Sequence, residues 1–132
     1  MTFVDADILL DVAQAHGKWL AWSSARLRER FAVGPLVIND VVYAEVSVGF
    51  VSAARLDEFL SLVGIHVERT SGPALILAAR AHLDYRRQGG TRRGVLPDFF
   101  IGAHAALAGM PLLTRDARRY RTYFPSLSLI LP

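Results

Sequence analysis

Four acidic residues in apolar surroundings carry the chemistry this chain could do: Asp5, Glu45, Asp98 and Asp116. Asp5 ends the apolar opening Phe3-Val4, and Glu45 sits within Val41-Val42-Tyr43-Ala44-Glu45-Val46. Asp98 follows Pro97 and opens the run Phe99-Phe100-Ile101-Gly102-Ala103, while Asp116 closes Pro111-Leu112-Leu113-Thr114-Arg115-Asp116. A carboxylate amid such sequence must be solvated, paired or bound to a cation, because an isolated buried charge is too costly. Four that converge would repel one another unless a divalent cation neutralised them. Magnesium and manganese favour oxygen ligands and serve phosphoryl chemistry, so the pattern points to a magnesium- or manganese-dependent nuclease.

The charge balance agrees. Fourteen arginines and the single Lys18 give a net charge of +3. With the four acids committed to a cation, 15 basic groups would face eight acidic ones. Arginines concentrate at Arg80, Arg86, Arg87, Arg92 and Arg93, and again at Arg115, Arg118, Arg119 and Arg121. An acidic pocket rimmed by arginine suits a polyanion held by its phosphates and cut at a metal; the bland alternative is a solvated arginine-rich surface.

The elements that must position these acids alternate short apolar runs with longer amphipathic stretches. That pattern predicts an α/β domain, 1–132, with a central parallel sheet of about five strands. Strands are expected at Thr2–Asp5, Leu36–Ile38, Ile65–Val67, Leu112–Thr114 and Leu127–Ile130. Asp7 is expected to cap a helix to about Ala15, followed by helices over Lys18–Phe31, from Asn39 or Asp40 through Glu45, and over Ala53–Leu62. Pro73–Arg87 and Pro97 to about Gly109 complete the set, with Gln88–Leu96 as a flexible loop. Asp5 and Asp116 would lie at the carboxyl ends of strands, where open parallel sheets gather ligands. Asp98 would occupy the first turn of its helix, where the dipole lowers a carboxylate's pKa.

Other chemistries are narrowed by what is missing. With no cysteine, disulfides, thiolate catalysis and cysteine-ligated zinc are excluded. The four histidines supply no His-x-x-x-His pair, and neither a Gly-x-Ser-x-Gly elbow nor a phosphate-binding glycine loop is present. No apolar run is long enough to span a membrane. Asp5, Asp7 and Asp11 stand where a signal peptide would be positive, so a cytoplasmic protein is expected. Trp19 and Trp22 could stack nucleobases or belong to the core or an interface.

The chain resembles the PIN-domain ribonucleases, especially the VapC-type toxins of bacterial toxin–antitoxin pairs. The segments that carry the resemblance are Phe3 to Asp11, Ile38 to Glu45, Leu96-Pro97-Asp98-Phe99-Phe100-Ile101-Gly102-Ala103-His104-Ala105, and Leu112-Leu113-Thr114-Arg115-Asp116 with Tyr120 shortly after. They span essentially the whole chain. The resemblance implies a three-layer α/β/α sandwich and metal-dependent cleavage of RNA. It maps the catalytic acids onto Asp5, Glu45, Asp98 and Asp116, with Asp5, Asp98 and Asp116 on the metal. Thr114 would lie beside the acids. The family's first motif usually continues Asp with a small hydroxyl residue and Asn; here Ala6 and Asp7 stand there. Asp7 would either cap its helix or adjust metal affinity. Arg92, Arg93 and Arg115 are expected to hold RNA phosphates. A cognate small antitoxin and a homodimer are expected partners, and the large apolar residues Trp19, Trp22, Phe50, Val51 and Phe59 suggest surfaces needing cover. The contrasting reading is a catalytically degenerate module that binds nucleic acid or protein. The Asp5-Ala6-Asp7 pattern also invites comparison with haloacid-dehalogenase-like phosphatases, but those need a lysine late in the chain, and the sole lysine is Lys18.

Overall fold

A computed structural model describes residues 1–132. Five short strands form one parallel sheet: β1 (Thr2–Val4), β2 (Leu36–Asn39), β3 (Ile65–Glu68), β4 (Leu112–Leu113) and β5 (Leu129–Ile130), in the order β3-β2-β1-β4-β5. Seven helices connect them: α1 (Ala6–Ala13), α2 (Leu20–Val33), α3 (Asp40–Ser47), α4 (Ala53–Val63), α5 (Gly72–Arg87), α6 (Leu96–Ala108) and α7 (Arg118–Tyr123). Right-handed crossovers put the α1–α2 and α3–α4 connections over one face of the sheet. The chain then returns past β1 to β4, which puts α5 to α7 over the other and completes the three-layer sandwich. Every residue of β1 and β2 is consequently buried, as a sheet covered on both faces requires.

The strand order has a functional consequence. β1 leads outward to β2 on one side, while β4 arrives on its other side, so the carboxyl ends of β1 and β4 flank a topological switch point. Asp5 follows β1 directly and Thr114 follows β4 directly.

Most expected elements are present, with shifts that have identifiable causes. Asp5, not Asp7, caps α1: its carboxylate accepts the Ala6 N–H at 2.8 Å. The first strand therefore ends one residue earlier than expected. Asn39 caps α3 by accepting the Val42 N–H at 2.9 Å. Ser71 caps α5, so that helix starts at Gly72 rather than Pro73. Gly64 ends α4 with φ at 81°, and a Cβ there would sit 2.4 Å from the Phe31 ring; glycine satisfies both demands. Helix α7 is absent from the sequence-based expectation. It is six residues long, its Ala117 cap makes no side-chain bond, and its arginine-rich sequence shows no apolar stripe to read.

The expected reason for self-association is corrected. Trp22, Phe50 and Phe59 pack against the 26-residue buried core, and Trp19 stands edge-on to Trp22 at 5.9 Å. Of the five residues, Val51 alone is exposed, at 94%. The outward apolar residues lie elsewhere, including Leu75, Ile76 and Leu83 on α5. No helix is long and apolar enough to cross a membrane.

Candidate active site

Asp5 is the hub. It is 8% exposed, and three donors converge on it. The Ala6 N–H reaches Oδ1 at 2.8 Å, while the Thr114 and Tyr120 hydroxyls both donate to Oδ2, at 2.8 and 2.9 Å. Hydrogen bonds to the charged form favour it. Burial is nevertheless the larger effect and raises the Asp5 carboxyl above its ordinary range, with the Asp98 charge adding to the rise.

Glu45 and Asp98 complete an electrostatic cluster around it. Burial pushes Glu45 up to about 7, and the Asp5 and Asp98 charges add to that shift. Its Oε1 is buried without a hydrogen-bond partner. The first-turn position of Asp98 predicts a depressed carboxyl, but burial outweighs everything else and raises it. The Arg119 guanidinium opposes that rise: its Nε and Nη2 both approach Asp98 Oδ2, at 2.7 and 2.6 Å. Asp116 lies outermost, in the loop between β4 and α7. Arg118 takes it from two sides, Nε to Oδ1 at 3.3 Å and Nη2 to Oδ2 at 3.1 Å, and holds it below the usual carboxylate range.

Asp7 does not cap a helix but looks into the cluster. Its Oδ2 accepts the Arg115 N–H at 3.3 Å, and its Oδ1 is buried with no partner. Burial first, then the Asp5 charge, pushes it up to about 7.

The arginines expected on RNA phosphates divide. Arg115 makes two parallel 2.9 Å hydrogen bonds to the 2%-exposed Asp11, which also accepts the Ser23 hydroxyl at 2.7 Å. Its guanidinium rests on Trp19 at 5.0 Å. Asp11 and Trp19 together hold its position, and Trp19 carries an arginine where a nucleobase was one expectation. Arg92 and Arg93 are exposed and line a cleft of about 510 Å³ with Arg86, His82 and Tyr85. The Arg92 N–H donates to the Tyr85 hydroxyl at 3.0 Å, and its charge lowers the pKa of Asp98. The loop is therefore tied to α5 and electrostatically coupled to the cluster.

Three consecutive residues of α7 touch the acids: Arg118 and Arg119, which the sequence placed only among arginines rimming an acidic pocket, and Tyr120, which it placed only in a segment of the resemblance. Gly102 lets α7 approach α6 this closely, since a Cβ there would meet the Phe124 ring at 2.4 Å and Tyr120 at 3.1 Å. The available sequence signal was the Arg-Arg-Tyr run following Asp116 in a chain with few tyrosines.

The PIN-domain pattern matches residues 2–125. The chain belongs to the PIN-domain family. PIN domains are nucleases that typically use divalent metal ions. No curated protein matches this PIN domain, but solved structures do. VapBC2 from Rickettsia felis bound to a promoter DNA fragment superposes with a TM-score of 0.75 at 15% identity, covering 99% of this chain and 98% of that one. DNA-bound VapBC from Salmonella typhimurium gives 0.69 at 17% identity, covering 99% and 98%. VapBC-1 from nontypeable Haemophilus influenzae gives 0.69 at 16%, covering 98% and 96%. At these identities the likeness is one of fold.

The residues fit the metal that the family implies. All candidate ligands are carboxylate oxygens, the donors hard divalent cations take. The orphaned oxygens of Glu45 and Asp7 are what an excess of buried negative charge leaves when no cation balances it. In this PIN domain, however, no three acidic or histidine side chains already form a cation cage; Asp98 is engaged by Arg119 and Asp116 by Arg118.

Proposed function

We propose that this PIN domain is the toxin of a toxin–antitoxin pair, an endoribonuclease dependent on magnesium or manganese. The observation that carries this reading is the surplus of buried carboxylate at the switch point: burial raises the proton affinity of Asp5, Glu45, Asp98 and Asp7, neighbouring carboxylate charges add to each rise, and two of their oxygens lack any partner. Asp5, Asp98 and Asp116 would hold the ion, which when bound polarises the phosphate and acidifies water. Asp5 is oriented for this by Thr114 and Tyr120. Glu45, with its carboxyl near neutrality, is suited to take a proton from the attacking water, since a general base works best with a pKa near the operating pH. Arg92 and Arg93 would track the RNA backbone and set register without reading sequence. Arg115 serves better as a strut that fixes the loop carrying Asp116.

The likeness in fold to toxin–antitoxin complexes supports a small antitoxin as partner, with a basic side chain of that protein competing for the acids. Leu75, Ile76 and Leu83 fall on one side of α5 by the helical period, which supports a homodimer through that helix. Cleavage of a panel of transfer, messenger and ribosomal RNAs, with and without chelator, tests the catalytic reading. Chelator-sensitive cleavage is expected; binding without cleavage would favour the non-catalytic module. A monomer by light scattering would overturn the dimer.

A further inference from the structure

Helix α7 sets three consecutive side chains on three of the four acids, and the three contacts differ in kind. Tyr120 is buried, neutral and part of the core. Arg118 is 73% exposed and pairs with Asp116 only two residues away, an arrangement that water screens. Arg119 is 18% exposed and reaches across to Asp98 on another helix. Its Nε donates to Oδ2, and the close approach of Nη2 is to that same oxygen. The side-by-side pairing that uses both carboxylate oxygens is not made, and at least three of the five guanidinium N–H groups remain outside the pair.

Such a contact neutralises Asp98 without saturating either partner. A divalent ion on Asp98 would repel Arg119 and take over the charge it balances. The freed guanidinium would remain beside the metal, tethered by Tyr120 and the close packing at Gly102. Its planar fork matches phosphate oxygens. Arg92, whose charge also acts on Asp98, is exposed in the neighbouring loop.

We propose that Arg119 is an exchangeable counterion: it holds Asp98 in the metal-free chain and transfers to the phosphate of the RNA once a divalent cation takes Asp98. The inference rests on the nuclease reading above. It predicts opposite effects from one residue, since Arg119 competes with metal and cooperates with RNA.

The test uses the full chain with Arg119→Gln, Arg119→Lys and, as a control for bulk charge, Arg121→Gln, an exposed α7 residue that touches none of the acids. Manganese binding is measured by calorimetry without RNA. Binding of a short labelled single-stranded RNA is measured with calcium across a salt series. Arg119→Gln should bind manganese about tenfold more tightly and RNA about tenfold more weakly, as one partly desolvated charge-assisted contact would give. Its salt slope should fall by about one relative to Arg121→Gln. Arg119→Lys keeps the charge without the fork, so it should retain the wild-type manganese affinity while losing RNA affinity. Unchanged or weaker manganese binding in Arg119→Gln overturns the counterion role. Tighter manganese binding with the salt slope of Arg121→Gln overturns the transfer to phosphate. If neither the wild type nor any variant binds manganese, the metal-dependent nuclease reading fails as well. A wild type that binds metal and cleaves RNA while Arg119→Gln matches it in both assays sinks this inference alone.

Discussion

The Tyr120 hydroxyl donates to Asp5 Oδ2 at 2.9 Å across 115 positions of sequence. That single contact joins the first strand's end to the last helix. It brings to one point a residue that caps α1, a threonine that follows β4 and an aromatic side chain wedged against Gly102. Two hydroxyls on one carboxylate oxygen fix its direction, and Oδ2 can face a cation only in the orientation they allow.

Removing either hydroxyl should therefore loosen Asp5 rather than delete it. Tyr120→Phe and Thr114→Val are each expected to weaken manganese affinity by about 10–100-fold, the usual cost of losing a group that orients a ligand. Each should also lower the melting temperature. Calorimetry on the two variants checks the claim, and unchanged affinity in both would show that burial alone holds Asp5 in place.

Charge at the acids is expected to matter more than shape. Asp5→Asn, Asp98→Asn and Asp116→Asn should each reduce cleavage to background while circular dichroism stays that of the parent. The Thr114 and Tyr120 hydroxyls can accept from an amide as well as donate, so Asp5→Asn need not strain the core. Full activity in all three folded variants would remove the metal site from the mechanism.

Stability of the metal-free chain should fall as pH rises. Asp7 and Glu45 have folded pKa values of about 7 against ordinary values of 3.8 and 4.5, and Asp5 and Asp98 are raised as well. Between roughly pH 4 and 7 the folded state thus binds more protons than the unfolded chain. Their contribution is fully present below pH 4 and is lost as pH passes 7. The lowered carboxyls of Asp40 and Asp116 act in the opposite sense but below that window. Melting curves without metal should show a lower transition at pH 8 than at pH 5, and manganese should restore stability at pH 8 far more than at pH 5. A transition that climbs from pH 5 to 8 without metal would contradict the placement of these acids.

The Arg115–Asp11 pair is expected to be structural. Breaking a buried pair by removing one partner typically costs about 3–5 kcal/mol, because the other charge is left uncompensated. Arg115→Ala strands Asp11, which is 2% exposed, and should destabilise strongly. The double variant Arg115→Ala/Asp11→Ala should recover part of the loss. Urea unfolding of the two variants decides it: an Arg115→Ala protein as stable as the parent, with weakened RNA binding instead, would return Arg115 to the phosphate-contacting set.

Loop charge should be visible in salt dependence. Replacing Arg92 and Arg93 with alanine is expected to weaken RNA binding and reduce its salt slope by about one per lost phosphate contact. An unchanged slope would make the loop a connector alone.

The sequence by itself determined the architecture and named the four acids as candidates. Short apolar runs such as Leu36-Val37-Ile38, amphipathic stretches between them, and the Gly64 stop are local signals. Local signals persist because backbone and side-chain periodicity act over a few residues. Tertiary structure decided who partners whom. Asp7 read as a cap because a cap is defined by neighbours, but Asp5 took that place when β1 ended at Val4. Asp98 read as a low carboxyl from its helix position, and burial reversed it, since desolvation depends on what the rest of the fold lays over the group. Arg115 read as a phosphate contact from charge alone; its contacts to Asp11 and Trp19, about a hundred residues upstream, appear only in the fold. Helix α7 had no periodic signature at all. Arg118 meets Asp116 locally, but Arg119 and Tyr120 reach Asp98 and Asp5 across the fold, where Gly102 leaves room for α7, a distance relationship that no local pattern encodes.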